Sequence, residues 1–112
     1  MEEFSLQFSF KQREFVISTQ VQLTKDFAKF NLFFPDNFEE EPYSLEELKL
    51  MVADKVSLLM EEGEARLLQL LYTIDIPEKE FLETTTQPDF LSQLAFKIIK
   101  REAYKVFLRS KF

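Results

Sequence analysis

The stretch FSLQFSF at residues 4–10 alternates apolar and polar residues, and the prediction of the fold class starts from it. The alternation resumes from Phe15 to Leu23 and again from Phe30 to Phe34. Successive side chains of a β-strand point to opposite faces, so a period of two predicts strands with one buried face. Polar breaks between these runs are spaced for two hairpin turns. Residues 1–34 therefore predict a three-stranded antiparallel β-meander.

After an acidic connector at residues 35–43, the hydrophobic period changes to 3.6, which is typical of a helix. Ser44 and Glu47 have the spacing of a capping box, in which each side chain caps a backbone amide at the start of a helix. Gly63 is the single glycine of the chain, and acidic residues crowd it on both sides. Because acids at a helix C-terminus oppose the helix dipole, we expect the helix to break at Gly63.

Three further helices are predicted downstream. The first spans about residues 65–72. The second is capped at Asp75, has Pro77 in its first turn and ends near Thr84. The third spans about residues 88–109. Strands followed by helices indicate an α+β fold. We therefore predict one α+β domain over residues 1–112, with about four helices packed on one face of the sheet.

The composition excludes several kinds of chemistry. The 112 residues include no Cys and no His, so thiolate nucleophiles, His-based catalytic triads and the usual zinc ligands are absent from the sequence. One glycine is too few for a dinucleotide fingerprint or a P-loop. We therefore expect a protein that is not an enzyme and that uses neither a cofactor nor a metal ion.

Charge is segregated along the chain. Residues 36–64 hold ten acids and two lysines, whereas residues 89–112 hold six bases and two acids. Four of these bases recur at every fourth position and predict one basic ridge on a helix: Lys97, Arg101, Lys105 and Arg109. A net charge of −6 argues against nucleic acid as the partner. We expect the ridge to pair with the acidic segment, within one subunit or between two.

The last helix carries apolar residues around most of its circumference, which a single small sheet would not cover. Either a second chain or the other helices of the same chain would cover this apolar surface. The sequence thus predicts a homo-oligomer or adaptor that works by protein–protein contact, through an interface of Phe96, Ile99, Lys100, Ala103, Tyr104, Phe107 and Leu108. No apolar run is long enough for a membrane span, and the acidic opening residues predict a cytoplasmic protein.

A different function would follow from the phenylalanine content. Nine of the fourteen phenylalanines lie in residues 1–38. Such residues usually fill a packed core, but they would also suit a binding pocket for an apolar ligand between sheet and helices. The residues predicted to line that pocket are Phe8, Ile17 and Phe30.

The segment from Leu67 to Phe112 includes LLYTIDIP at residues 70–77 and ends with IIKREAYKVFLR at residues 98–109. This segment resembles small bacterial proteins of unknown function. The resemblance contains no motif of known chemistry, so it implies no catalytic or binding residues.

Overall fold

The computed structural model describes residues 4–111, and this range contains six helices and no strand. The helices are α1 (Leu6–Ser9), α2 (Arg13–Ala28), α3 (Leu45–Glu62), α4 (Glu64–Ile74), α5 (Glu78–Thr84) and α6 (Phe90–Lys111). The prediction of an α+β fold with a three-stranded β-meander is therefore wrong, and the described part of the chain is all-helical. Residues 1–3 of the predicted sheet lie outside the described residues.

The buried positions of α2 explain why this segment is a helix. Its core-facing residues recur at intervals of three and four: Val16, Thr19, Gln20, Leu23, Asp26 and Phe27. This is the period of a helix. Half of these residues are polar, so the helical period is weak when only apolar residues are followed. The alternation from Phe15 to Leu23 is then the more visible pattern, although it does not describe the buried face.

Two helix ends use a left-handed residue other than glycine. After α2, Asn31 has a φ of 60°, and the amide of Leu32 donates to the carbonyl of Phe27 at 3.2 Å. After α4, Asp75 has a φ of 70°, and the amide of Ile76 donates to the carbonyl of Leu71 at 2.8 Å. Both are Schellman motifs, in which Asn and Asp tolerate the left-handed conformation. Asp75 therefore ends α4 and does not cap the next helix.

The predictions around α3 are confirmed. The Ser44 hydroxyl accepts from the Glu47 amide at 3.1 Å, and the Glu47 carboxylate accepts from the Ser44 amide at 3.3 Å. Gly63 separates α3 from α4 with a φ of 136° and a ψ of 150°. This conformation is accessible almost only to glycine, so the break falls where the sequence places it.

Helix α6 is the central element of the structure, because α2, α3, α4 and α5 all pack against it. Its inward residues Leu94, Ile98 and Ile99 have no solvent-exposed surface. They join a core to which the other long helices contribute fully buried side chains, among them Leu23, Phe27, Leu59 and Leu70. The neighbouring helices leave one side of α6 open, and this side forms the candidate site. Within residues 4–111, none of the helices combines the length and apolar character needed to cross a membrane.

Candidate functional site

A groove of about 890 Å³ runs along the open side of α6. Its floor includes side chains at intervals of three and four along α6: Phe96, Lys97, Lys100, Arg101 and Tyr104. Lys49 of α3 lines it, as do Glu80 of α5 and the link from Asp75 to Pro77 between α4 and α5. Because α6 is packed on its other sides, the position of this floor is fixed by the core.

The groove combines apolar surface with positive charge. Phe96, Tyr104 and Ile76 supply apolar surface, and the ammonium group of Lys49 lies 5.8 Å from the centre of the Phe96 ring. Lys100 is exposed and forms no ion pair with the residues that the structure describes. An aromatic floor with a free cation suits an occupant that has both apolar and acidic groups.

Two other cations of the floor already have partners. Lys97 Nζ lies 3.9 Å from Glu80 Oε1, and an Arg101 guanidinium nitrogen lies 3.7 Å from Asp75 Oδ2. Both pairs are partly exposed, so each contributes less than about 1 kcal/mol to stability. Their main consequence is geometric, since they tie α6 to α5 and to the end of α4.

An aromatic cluster closes one end of the groove. The Phe4 ring centre lies 5.5 Å from that of Tyr104 and 5.3 Å from that of Phe107. Phe15 of α2 lies 6.4 Å from Phe4, which extends the cluster away from α6. All four rings are partly exposed. The apolar surface of the groove is therefore continuous with an aromatic patch made by three separate parts of the chain.

The structure divides the predicted interface residues into two groups. Phe96, Lys100 and Tyr104 line the groove, and Phe107 and Leu108 lie beyond it on α6 with partly exposed side chains. Ile99 and Ala103 have 0% exposure and belong to the core. The neighbouring helices cover them, which is the alternative that the sequence also allowed.

The predicted basic ridge does not stay together as one exposed row. Lys97 and Arg101 line the groove, Lys105 turns toward buried acids, and Arg109 is exposed. In the described part of the chain, the acids paired with the ridge are Asp26, Asp75, Glu80 and Glu102. None of these belongs to residues 36–64. Pairing of the ridge with the acidic segment inside one subunit is therefore absent from residues 4–111.

Lys105, Glu102 and Asp26 form a buried ionic cluster that no sequence pattern indicates. Lys105 Nζ lies 3.2 Å from Glu102 Oε1 and 3.3 Å from Asp26 Oδ2, and it donates to the Thr73 carbonyl at 3.3 Å. The Gln22 amide donates to Asp26 Oδ2 at 3.2 Å. Glu102 and Lys105 are three residues apart, but Asp26 is far away in the sequence, so no local pattern joins the three.

Burial governs the titration of this cluster. Loss of hydration, followed by the hydrogen bond and the negative charge of Asp26, raises the pKa of Glu102 to about 9. Burial alone would raise the pKa of Asp26 too, but hydrogen bonds from Glu102 and Gln22 and the charge of Lys105 lower it overall. Lys105 keeps a raised pKa despite its burial because both acids face it. Glu102 has no exposed surface, so this cluster holds helices together and does not face a ligand.

The predicted apolar-ligand pocket lacks its sheet, because residues 4–34 contain no strand. Phe8 is 63% exposed, Ile17 is partly exposed on α2, and Phe30 is buried beneath Arg66. None of the three lines the groove on α6. A pocket between sheet and helices is therefore not part of the described structure.

Among the described residues, no three acidic side chains are grouped so that they could hold a metal ion. No family model matches the chain, and no curated protein or solved structure matches it either. The fold defines the class of the protein as a small helical bundle arranged around one central helix. Its candidate function rests on the groove along that helix.

Proposed function

We propose that this chain is a non-enzymatic protein-interaction module that self-associates through the groove on α6, in the cytoplasm. The observation that carries the proposal is the open side of α6, where Phe96 and Tyr104 lie beside the unpaired ammonium group of Lys100. Aromatic residues and arginine are enriched at protein interfaces, and in this groove the Arg101 guanidinium lies 5.4 Å from the centre of the Tyr104 ring.

The location of the strongly shifted carboxyl group supports a non-enzymatic role. Glu102 has a pKa of about 9, which is the kind of shift that often marks a catalytic acid. However, it lies in the interior with 0% exposure, on the side of α6 that faces α2 and α4. A group that no substrate reaches does not act on one.

The proposal is tested by light scattering of the purified protein across the micromolar range. We expect a particle of twice the 13.4 kDa of one chain, which dissociates on dilution. Phe96→Asp should weaken the dimer at least about tenfold, since it places a charge on the apolar floor of the groove. Tyr72→Asp is the matched control, because Tyr72 is 84% exposed and lies outside the groove.

Two results would overturn the proposal. One is a monomer at every concentration tested. The other is equal dissociation by Phe96→Asp and Tyr72→Asp, which would place the contact elsewhere. Circular dichroism of both variants shows whether each retains its helices, so a loss of association can be separated from unfolding.

A further inference from the structure

The acidic connector at residues 35–43 is held rigidly against α2. The Gln20 side chain, which has 0% exposure, donates to the carbonyls of Phe38 and Glu41 and accepts from the amide of Tyr43 at 2.8 Å. One buried amide therefore fixes three backbone groups of the connector. A segment ordered in this way loses little conformational entropy when it binds a partner.

A buried phenylalanine anchors the same segment. Phe38 is 1% exposed, and its ring stacks on that of Phe34 with centres 4.3 Å apart and an interplanar angle of 9°. Tyr43 lies just before α3, and its ring centre is 5.6 Å from that of Phe38. Because Phe38 points inward, the flanking side chains are left at the surface.

Four acidic side chains project from this anchored loop: Asp36, Glu39, Glu40 and Glu41. All four are exposed, and none forms an ion pair within residues 4–111. Like charges held close together without a counter-charge repel one another. A basic surface on another molecule would relieve this repulsion.

We propose that the groove on α6 receives the acidic connector of a second copy of this chain, an inference that rests on the proposed self-association. The groove presents Lys100 without an ion-pair partner among the described residues, and residues 89–112 carry six bases against two acids. The connector presents the opposite charge on a preformed loop. Within the described residues, Lys49 Nζ lies 3.8 Å from Glu46 Oε2, and Lys97 and Arg101 pair with Glu80 and Asp75. Lys100 is therefore the groove cation left to pair with the acidic connector of a second copy.

The arrangement is reciprocal. Each copy offers one connector and one groove, so two identical contacts form in a dimer with twofold symmetry. Charge complementarity of this kind sets orientation and favours the correct partner more than it adds affinity. We therefore expect the dimer to weaken as the salt concentration rises, because exposed charges are screened.

The experiment uses two charge-reversed variants of the full chain. The first, Glu39→Lys/Glu40→Lys/Glu41→Lys, has a basic connector and an unchanged groove. The second, Ser92→Glu/Lys100→Glu, has an acidic groove and an unchanged connector. Ser92 and Lys100 are exposed, line the groove and form no ion pair with described residues, so the second variant should fold normally.

Each variant alone faces like charge in both contacts, and we expect its self-association to weaken at least about tenfold. In an equimolar mixture, one contact joins a basic connector to an acidic groove, and the other joins an acidic connector to a basic groove. The dimer should therefore form again, which light scattering detects. The matched control for the basic-connector variant is Glu61→Lys/Glu64→Lys/Glu83→Lys, which makes the same three Glu→Lys changes at exposed residues outside the groove. It should associate like the original chain.

The outcomes separate this inference from the proposed function. Recovery of the dimer in the mixture, with each variant monomeric alone, supports the connector as the occupant of the groove. A dimer that persists in the basic-connector variant overturns the inference and leaves self-association through α6 standing. A monomer in the original chain overturns both.

Discussion

Lys105 Nζ lies 3.3 Å from Asp26 Oδ2, and this ion pair joins the central helix to α2 across 79 residues of sequence. Glu102 precedes Lys105 by one helical turn, and its Oε1 lies 3.2 Å from the same ammonium nitrogen. Two carboxyl groups thus share one cation in the interior, where two ionised carboxylates repel strongly. Glu102 accordingly keeps its proton at neutral pH, and Asp26 carries the negative charge.

The free energy of unfolding should fall as the pH rises from about 4.5 to about 9. The pKa of Glu102 is raised from its ordinary value of 4.5 to about 9 in the folded chain. Across this window the unfolded chain releases the proton while the folded chain retains it, which favours unfolding. The slope is at most about 1.4 kcal/mol per pH unit. Urea unfolding followed by circular dichroism at a series of pH values measures it.

The other two groups of the cluster act outside this window. The lowered pKa of Asp26 gives stability that is present above its ordinary value of 3.8 and lost as the pH falls. The raised pKa of Lys105 gives stability that is lost only as the pH rises beyond 10.5. We therefore expect maximum stability between about pH 4 and about pH 5.

Glu102→Gln should flatten this pH profile, because glutamine is a neutral group of the same shape that has no proton to lose. The variant should gain stability over the original chain progressively between about pH 5 and about pH 8. Glu83→Gln is the control, since Glu83 is exposed on α5. Profiles of Glu102→Gln and the original chain that run parallel through this range would show that Glu102 is ionised in the folded protein.

Gln20→Ala should release the acidic connector from α2. The substitution leaves three backbone groups of the connector without their partner, and we expect a loss of about 2–3 kcal/mol in the free energy of unfolding. Hydrogen exchange should accelerate at the Tyr43 amide, which donates to Gln20. Gln69→Ala, at an exposed position of α4, is the control. Unchanged protection at Tyr43 would mean that Gln20 does not hold the connector.

The sequence predicts the second half of the fold better than the first, and the reason lies in the polarity of the core. From α3 onward, buried positions such as Val52, Val56 and Leu59 are apolar and repeat with the helical period. In α2, the buried positions include Thr19, Gln20 and Asp26. Thr19 donates to the Phe15 carbonyl within α2, whereas Gln20 bonds to the connector and Asp26 pairs with Lys105 of α6. No local pattern reveals such partners distant in the sequence.

Helix ends without glycine are a second reason. Asn31 and Asp75 adopt the left-handed conformation that glycine usually provides at this position. Asp75 followed by Pro77 also matches the pattern of a helix start. The sequence alone therefore does not show whether Asp75 ends one helix or begins the next. Of the candidate site, the sequence predicts Phe96, Lys100 and Tyr104 on α6, but not Lys49 or Ile76, which depend on how other helices pack.

Gly63→Ala should destabilise the protein by about 1–3 kcal/mol, even though an added Cβ would have no atom within 4 Å. The cost comes from the backbone alone, because Gly63 has a φ of 136° that an L-residue rarely adopts. Asn31→Gly provides the contrast, because glycine adopts the φ of 60° found at Asn31 without strain. The stability of the protein should therefore change little in this variant. Thermal unfolding compares the two. Equal stability of Gly63→Ala and the original chain would contradict the strained junction between α3 and α4.

Ser44→Ala should cost about 1 kcal/mol, because it removes one half of the capping box at the start of α3. The Ser44 hydroxyl accepts from the Glu47 amide at 3.1 Å, and alanine leaves that amide to water. Ser44→Asp is the matched control, since aspartate also accepts at this position and its charge suits the helix N-terminus. The urea concentration at the midpoint of unfolding should therefore be the same for Ser44→Asp and the original chain, and lower for Ser44→Ala. If alanine and aspartate unfold at the same urea concentration, the cap does not contribute to the stability of α3.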